Sequence, residues 1–165
     1  MGWLVADVGG TNTRCAIARP GGSVDSIETF HNRDFSGLDG LLRAYLGALP
    51  PGQRPDEAVL AIAAPIRGDE IRMVNINWVF SVAGLARALD LKRVTPLNDF
   101  AAQAYALPVL RPDDLRQVGG GKAVSGAPKV VVGPGTGLGT AGLVRIAGRD
   151  RKSTRLNSSH YQQSR

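Results

Sequence analysis

Three short segments of the 165-residue chain carry groups that could act on a phosphate ester. The first, Asp7-Val8-Gly9-Gly10-Thr11-Asn12, closes an apolar run that starts at Trp3 and includes Ala6. Glycines let backbone N–H groups approach an anion, Thr11 and Asn12 can donate to phosphate oxygens, and Asp7 can hold Mg²⁺ through water. Gly-Gly alone also suffices for an ordinary hairpin turn, so this segment leaves both readings open. The second, Gly133-Pro134-Gly135-Thr136-Gly137-Leu138-Gly139, sets four glycines and a threonine between two apolar stretches and suits a backbone nest for phosphate. It is not a dinucleotide fingerprint, because Leu138 stands where the third glycine belongs and the following residues read as strand. A Walker A loop is excluded as well, since Gly121-Lys122 is followed by Ala123. The third segment, Leu97-Asn98-Asp99-Phe100, puts a carboxylate at the carboxyl end of an expected buried strand, where open α/β sheets place ligand groups. Asp99 there could take the proton of a substrate hydroxyl, or could cap the helix that follows. Phosphoryl transfer asks for little more than such a base, positioned phosphates and Mg²⁺.

The elements that must position these groups are readable from punctuation and period. Residues 3–9, 13–19 and 23–30 predict three antiparallel strands in a meander, with Gly9-Gly10 and Pro20-Gly21-Gly22 as the turns. Leu38, Leu41, Leu42, Tyr45, Leu46 and Leu49 fall on one helical face, with Ser36 placed to cap and Pro50-Pro51 to stop the helix. Strand and helix then alternate: residues 57–65 as a strand buried on both faces, a helix from Val82 capped by Ser81, a strand over 93–99, and a helix over 100–107 ended by Pro108. After a polar connection from Arg111 to Pro128, residues 129–146 read as strand, glycine loop, strand. WLVADVGGTNTRCAIA and VVVGPGTGLGTAGLV are alike, which suggests an internal duplication gripping one nucleotide between related halves. The segment from Met73 to Trp78 holds Asn75, Asn77 and an indole, groups apt for hydrogen bonding to sugar hydroxyls or for turn structure. Cys15 and Trp3 read as packing residues.

Composition narrows the classes. The 43% hydrophobic and 21% charged content suits a globular chain, neither disordered nor fibrous. The apolar run from Ala58 to Ile66 falls far short of the roughly 18 residues a membrane span needs, and no secretory signal opens the chain, so a cytoplasmic protein is expected. One cysteine and two histidines, His31 and His160, exclude a disulfide framework and a zinc site. The net charge of +6 raises the question of nucleic acid, but Arg151, Lys152, Arg155 and Arg165 carry four of the six, leaving residues 1–150 nearly neutral. Residues 151–165 have no apolar period and read as an unstructured basic tail, as a basic arm for an acidic partner, or, since RKSTRLNSSH resembles translated adapter DNA, as a sequence artefact.

DVGGTNTRCAIA, AIAAPIRGD, the segment Asn75 to Trp78, LNDF and GPGTGLGTAGLV, in that order over residues 3 to 148, resemble the bacterial glucokinase family. The resemblance implies an α/β fold: a ribonuclease H-like, actin-type ATPase domain whose mixed sheet contains the meander and flanking helices, plus the first hairpin of a second domain. It assigns 1–110 to a small sugar-kinase domain and 111–150 to the start of a truncated large one. Ala6 to Thr11 become the first phosphate-binding loop and Gly133 to Gly139, with Gly135, Thr136 and Gly137, the second. Asn98 and Asp99 match the family's glucose-binding pair, with Asp99 the base at the sugar 6-hydroxyl, and Asn75 joins them as a sugar ligand. ATP and Mg²⁺ are the implied cofactors, glucose and ATP the partners, and a homodimer the assembly at full length; no nucleic acid or membrane is implied. Family members are far longer and carry a Glu- and His-bearing segment and an adenosine pocket that are absent here, so an N-terminal fragment of low activity is expected. A kinase for another hexose or amino sugar, and a non-enzymatic sugar-responsive regulator, remain the alternatives.

Overall fold

A computed structural model of the chain describes residues 2–134, 138–146 and 149–153. It divides into two compact units, the first ending at Asp99 and the second beginning at Phe100.

In the first unit, β1 (Trp3–Val8), β2 (Asn12–Ala18) and β3 (Val24–His31) form the antiparallel meander, and β4 (Glu57–Ile62) and β7 (Arg93–Asn98) add in parallel to give the order β3-β2-β1-β4-β7. Alternate residues of each strand share one face. The register therefore lays Leu4, Ala6 and Val8 beside Ile17, Cys15 and Thr13 on one flank and beside Ala58, Leu60 and Ile62 on the other. That face is the core, closed by Leu41, Leu42 and Tyr45 of α1 (Leu38–Ala48) and Leu85 of α2 (Val82–Ala88). The opposite face of β4 is only half-buried, so this strand alternates where the sequence predicts burial on both sides. β7 is an edge strand rather than an interior one, and there Pro96 need not supply a ladder donor.

α1 starts one residue later than its expected cap. Gly37 occupies the cap position and its carbonyl takes the Leu41 N–H, so Ser36 lies too early to cap. Leu49, ahead of Pro50, is extended as the pre-proline clash requires. The turn before β3 contains Gly21 and Gly22 at φ +92° and +89°, a torsion that only glycine adopts without strain. A two-stranded ribbon of β5 (Glu70–Arg72) and β6 (Val79–Ser81) was not expected, because three-residue strands carry too little pattern to show a period.

In the second unit, α3 (Asp99–Ala106) packs Phe100 and Ala104 against Ala141 and Leu143 of a hairpin formed by β8 (Lys129–Pro134) and β9 (Leu138–Ile146). β10 (Arg149–Ser153) pairs with β9, so strand runs into residues expected to be unstructured tail. Ladder bonds come from the backbone and need no apolar alternation. Among the described residues, no helix is long and apolar enough to cross a membrane.

Candidate functional site

The parallel strands β1, β4 and β7 end together. Val8 stands beside Ile62, and Ile62 beside Asn98, so the chain leaves the sheet at Gly9, Ala63 and Asp99 along one edge. Neighbouring strands lie about 4.8 Å apart, which sets the Gly9 and Asp99 ends roughly 10 Å from each other. On the buried face this last row reads Thr13, Val8, Ile62, Asn98, apolar in the middle and polar at both flanks.

The Gly9–Asn12 turn is closed by the Gly9 N–H donating to Asn12 O at 3.0 Å. Neither Gly9 nor Gly10 is in the left-handed region, so backbone torsion does not explain the pair. Space does: a Cβ on Gly9 would stand 3.0 Å from Asn12 O, and one on Gly10 would stand 2.7 Å from Asn75 Cβ. The close approach brings Asn75, exposed at the tip of the β5–β6 ribbon, onto the glycine turn. Two segments singled out for different chemistry, phosphate and sugar, thus meet. Asp7 is exposed, on the face of β1 opposite the core, with Arg14 as its cross-strand neighbour. Ala6 and Val8 point into the core, so only their backbone could serve a ligand.

At the far flank, the buried Asn98 side-chain amide donates to Asp99 Oδ1 at 2.8 Å and lies 3.3 Å from Ala64 O. It ties the loop after β4 to the carboxylate. Asp99 is the first residue of α3, half-buried, where a negative charge is favoured by the free N–H groups of the helix start. Asn98 is the last residue of β7 and directly precedes the helix.

Gly135, Thr136 and Gly137 lie outside the described residues. Their flanks do not: Gly133 and Gly139 face each other across the β8–β9 pairing, and the Phe100 ring lies against both. A Cβ on Gly133 would come within 2.7 Å of that ring, so these glycines too are kept by contact.

Several neighbouring groups are committed to structure. Ser81 Oγ accepts from Gly84 N–H and caps α2 as expected, while Asp69 accepts from the Ser81 hydroxyl and the Ala83 N–H. Those two donors, the hydroxyl first, hold the Asp69 carboxyl below its ordinary range. Trp78 is buried in the core, so its indole is not offered to a sugar. Trp3 is partly exposed and donates to Glu57, not packed as expected, whereas Cys15 is core and burial pushes its thiol up to about 12. Among the described residues, no three His, Cys, Asp or Glu side chains gather into a cation cage.

The residue missed by sequence reasoning is Asn32, 1% exposed, directly after β3. Its Nδ2 donates to Gly9 O at 2.8 Å, its N–H donates to Thr11 O at 2.9 Å, and its Oδ1 accepts from the buried Thr13 hydroxyl at 2.8 Å. Within the polar stretch His31-Asn32-Arg33-Asp34 nothing marks it, since only the β2–β3 register brings it to the turn.

Comparison with known proteins gives a consistent picture. A sequence model of the family described as glucokinase matches residues 4–163. A glucokinase of Ralstonia nicotianae is 45% identical over 146 residues, covering 86% of this chain and 42% of the relative. The crystal structure of a glucokinase from an Antarctic psychrotroph superposes with a TM-score of 0.84 at 35% identity, over 94% of this chain and 50% of that one. A ROK family glucokinase from Streptomyces griseus, solved in complex with glucose and AMPPNP, shares the fold at 16% identity and a TM-score of 0.64, over 92% of this chain and 46% of that one. The chain therefore spans about half the length of these three proteins, or less.

Proposed function

The chain belongs to the glucokinase family, with the α/β fold of an actin-type ATPase domain, and from that premise we propose that it takes part in transferring the γ-phosphoryl group of ATP to D-glucose. The observation that carries this is the seating of Asn75, read as a sugar ligand, against Gly10 of the turn read as a phosphate site, on the same sheet edge as Asn98 and Asp99. The glucose and AMPPNP of the Streptomyces griseus structure support sugar and nucleotide as the two substrates.

In the proposed mechanism, backbone N–H groups of the Gly9–Asn12 turn hold ATP phosphates, and Gly135, Thr136 and Gly137 are read as a second phosphate-binding segment. Asn75 and Asn98 hold sugar hydroxyls. Asp99, oriented by the Asn98 amide, takes the proton from the glucose 6-hydroxyl as its oxygen bonds to the γ-phosphorus and the bond to ADP breaks. The products are glucose 6-phosphate and ADP. Asp7 suits Mg²⁺ held through water: it is a single exposed carboxylate beside the turn, and Mg²⁺ in such sites keeps most of its ligands as water and phosphate oxygens. When bound, Mg²⁺ neutralises charge on the phosphate oxygens. Residues 1–110 are read as the small domain and 111–150 as the start of the large one. A cytoplasmic enzyme, homodimeric at full length, follows from the same reading, with no role for nucleic acid or membrane.

Orientation within a closed site is worth roughly 7–11 kcal/mol of barrier in favourable cases. The 165 residues alone should therefore turn over glucose very slowly, and robust glucose-dependent ADP formation by this chain would contradict that. Joined to the remaining length of the Ralstonia nicotianae relative, residues 3–146 should support ADP formation with D-glucose in preference to other hexoses and amino sugars. Silence with every sugar would sink the kinase reading, and preference for another sugar would replace glucose.

A further inference from the structure

We propose that Asn32 is a positioning residue that holds the Gly9–Asn12 turn in the form that accepts phosphate, an inference that rests on the reading of that turn as a phosphate loop. Asn32 fixes two of the turn's carbonyls, Gly9 O through its side chain and Thr11 O through its backbone. In a planar trans peptide the C=O and the next N–H point in opposite directions. With Gly9 O held against Asn32, the Gly10 N–H points away from it, and among the described residues that N–H meets no acceptor. Rotation of the same peptide would instead turn a carbonyl, with its partial negative charge, toward the anion.

The clamp has its own support. An amide can present either its oxygen or its nitrogen to Gly9 O, and only the nitrogen donates. The Gly9 carbonyl, which can only accept, therefore selects the nitrogen, and the buried Thr13 hydroxyl donates to the Asn32 Oδ1 that this leaves at 2.8 Å. On the outer side of the turn, His31 Nδ1 lies 2.7 Å from Asn12 Oδ1, a second tie from the end of β3 to the same turn. A side chain wanted only to fill this space would be cheaper as an apolar one, because a buried amide costs stability unless each polar atom is paired.

The test uses the full chain, ¹⁵N-labelled and titrated with Mg²⁺-tripolyphosphate, with amide shifts and hydrogen exchange read at Gly9, Gly10 and Thr11. The wild-type turn amides should shift on titration. Asn32→Leu and Thr13→Val should each weaken binding by about tenfold and speed exchange of the Gly9 N–H, while Leu60 and Ile62 keep their shifts; Thr13→Ser should restore wild-type behaviour. If Asn32→Leu does not fold, Thr13→Val decides. Variants that bind as tightly as wild type, with unchanged exchange, overturn the clamp and leave the phosphate loop standing. A wild-type chain whose turn amides ignore tripolyphosphate overturns the phosphate reading, and the proposal with it.

Discussion

Gly10 has no left-handed torsion to justify it, yet a Cβ there would be driven to 2.7 Å from Asn75 Cβ. Gly21 is the reverse case, at φ +92° with open space around it. Gly10→Ala should therefore act through packing, costing about 1–3 kcal/mol and displacing Asn75. Gly21→Ala should act through the backbone, costing about 1–2 kcal/mol and leaving Asn75 in place. Thermal unfolding together with the Asn75 side-chain amide resonances separates the two; equal displacement of Asn75 in both variants would contradict the contact. The position of Gly10, Asp7 and the Asn98-Asp99 pair at strand ends is legible in the sequence because each sits in a contiguous motif next to an apolar run. Asn32 is not, because its meaning lies in a contact with Gly9 that is 23 positions away and exists only once β2 and β3 are in register.

At the level of elements, the meander, α1, α2, α3 and the parallel strands follow from period and punctuation, while the irregularities do not. Ser26 and Ile27 stand opposite the single residue Ala16, forming a bulge in β3, with Ser26 at φ 52° and its carbonyl accepting from the buried Tyr45 hydroxyl at 2.9 Å. Neither Ser nor Ile announces a bulge, and the tertiary bond from α1 fixes it. Asp90 shows the same limit. It follows the end of α2 at φ 53°, the position where helices favour glycine. Asp90→Gly relieves that torsion, offset by the larger entropy of the unfolded chain, and should raise stability by about 0.5–1 kcal/mol in urea unfolding. A loss of stability would mean that the Asp90 side chain makes a contribution of its own.

For the molecule as a whole, pH reports on the core of the first unit. Burial, aided by the Glu28 charge, raises Cys15 from 9.0 to about 12, and burial first raises Tyr45 from 10.0 to about 12. The folded chain thus keeps protons that the unfolded chain gives up. This stabilisation is complete below pH 9 and is lost as pH rises from 9 toward 12. The urea midpoint should fall between pH 8 and pH 11, and fall less in Tyr45→Phe; a flat or rising midpoint would contradict the burial of both groups. Four of the six net positive charges lie in residues 151–165, whereas the site proposed for phosphoryl transfer lies at a sheet edge in the first unit. The assignment of Asp99 at this edge as the base for phosphoryl transfer to glucose is the point on which the proposed function turns. It is tested most directly by measuring γ-phosphoryl transfer from ATP to D-glucose by residues 3–146 joined to the remainder of the Ralstonia nicotianae relative, with and without Asp99→Asn. Transfer by the parent is expected, with a kcat lower by about 10²–10⁴-fold in the variant and the melting temperature little changed. Equal kcat in the two proteins would contradict it.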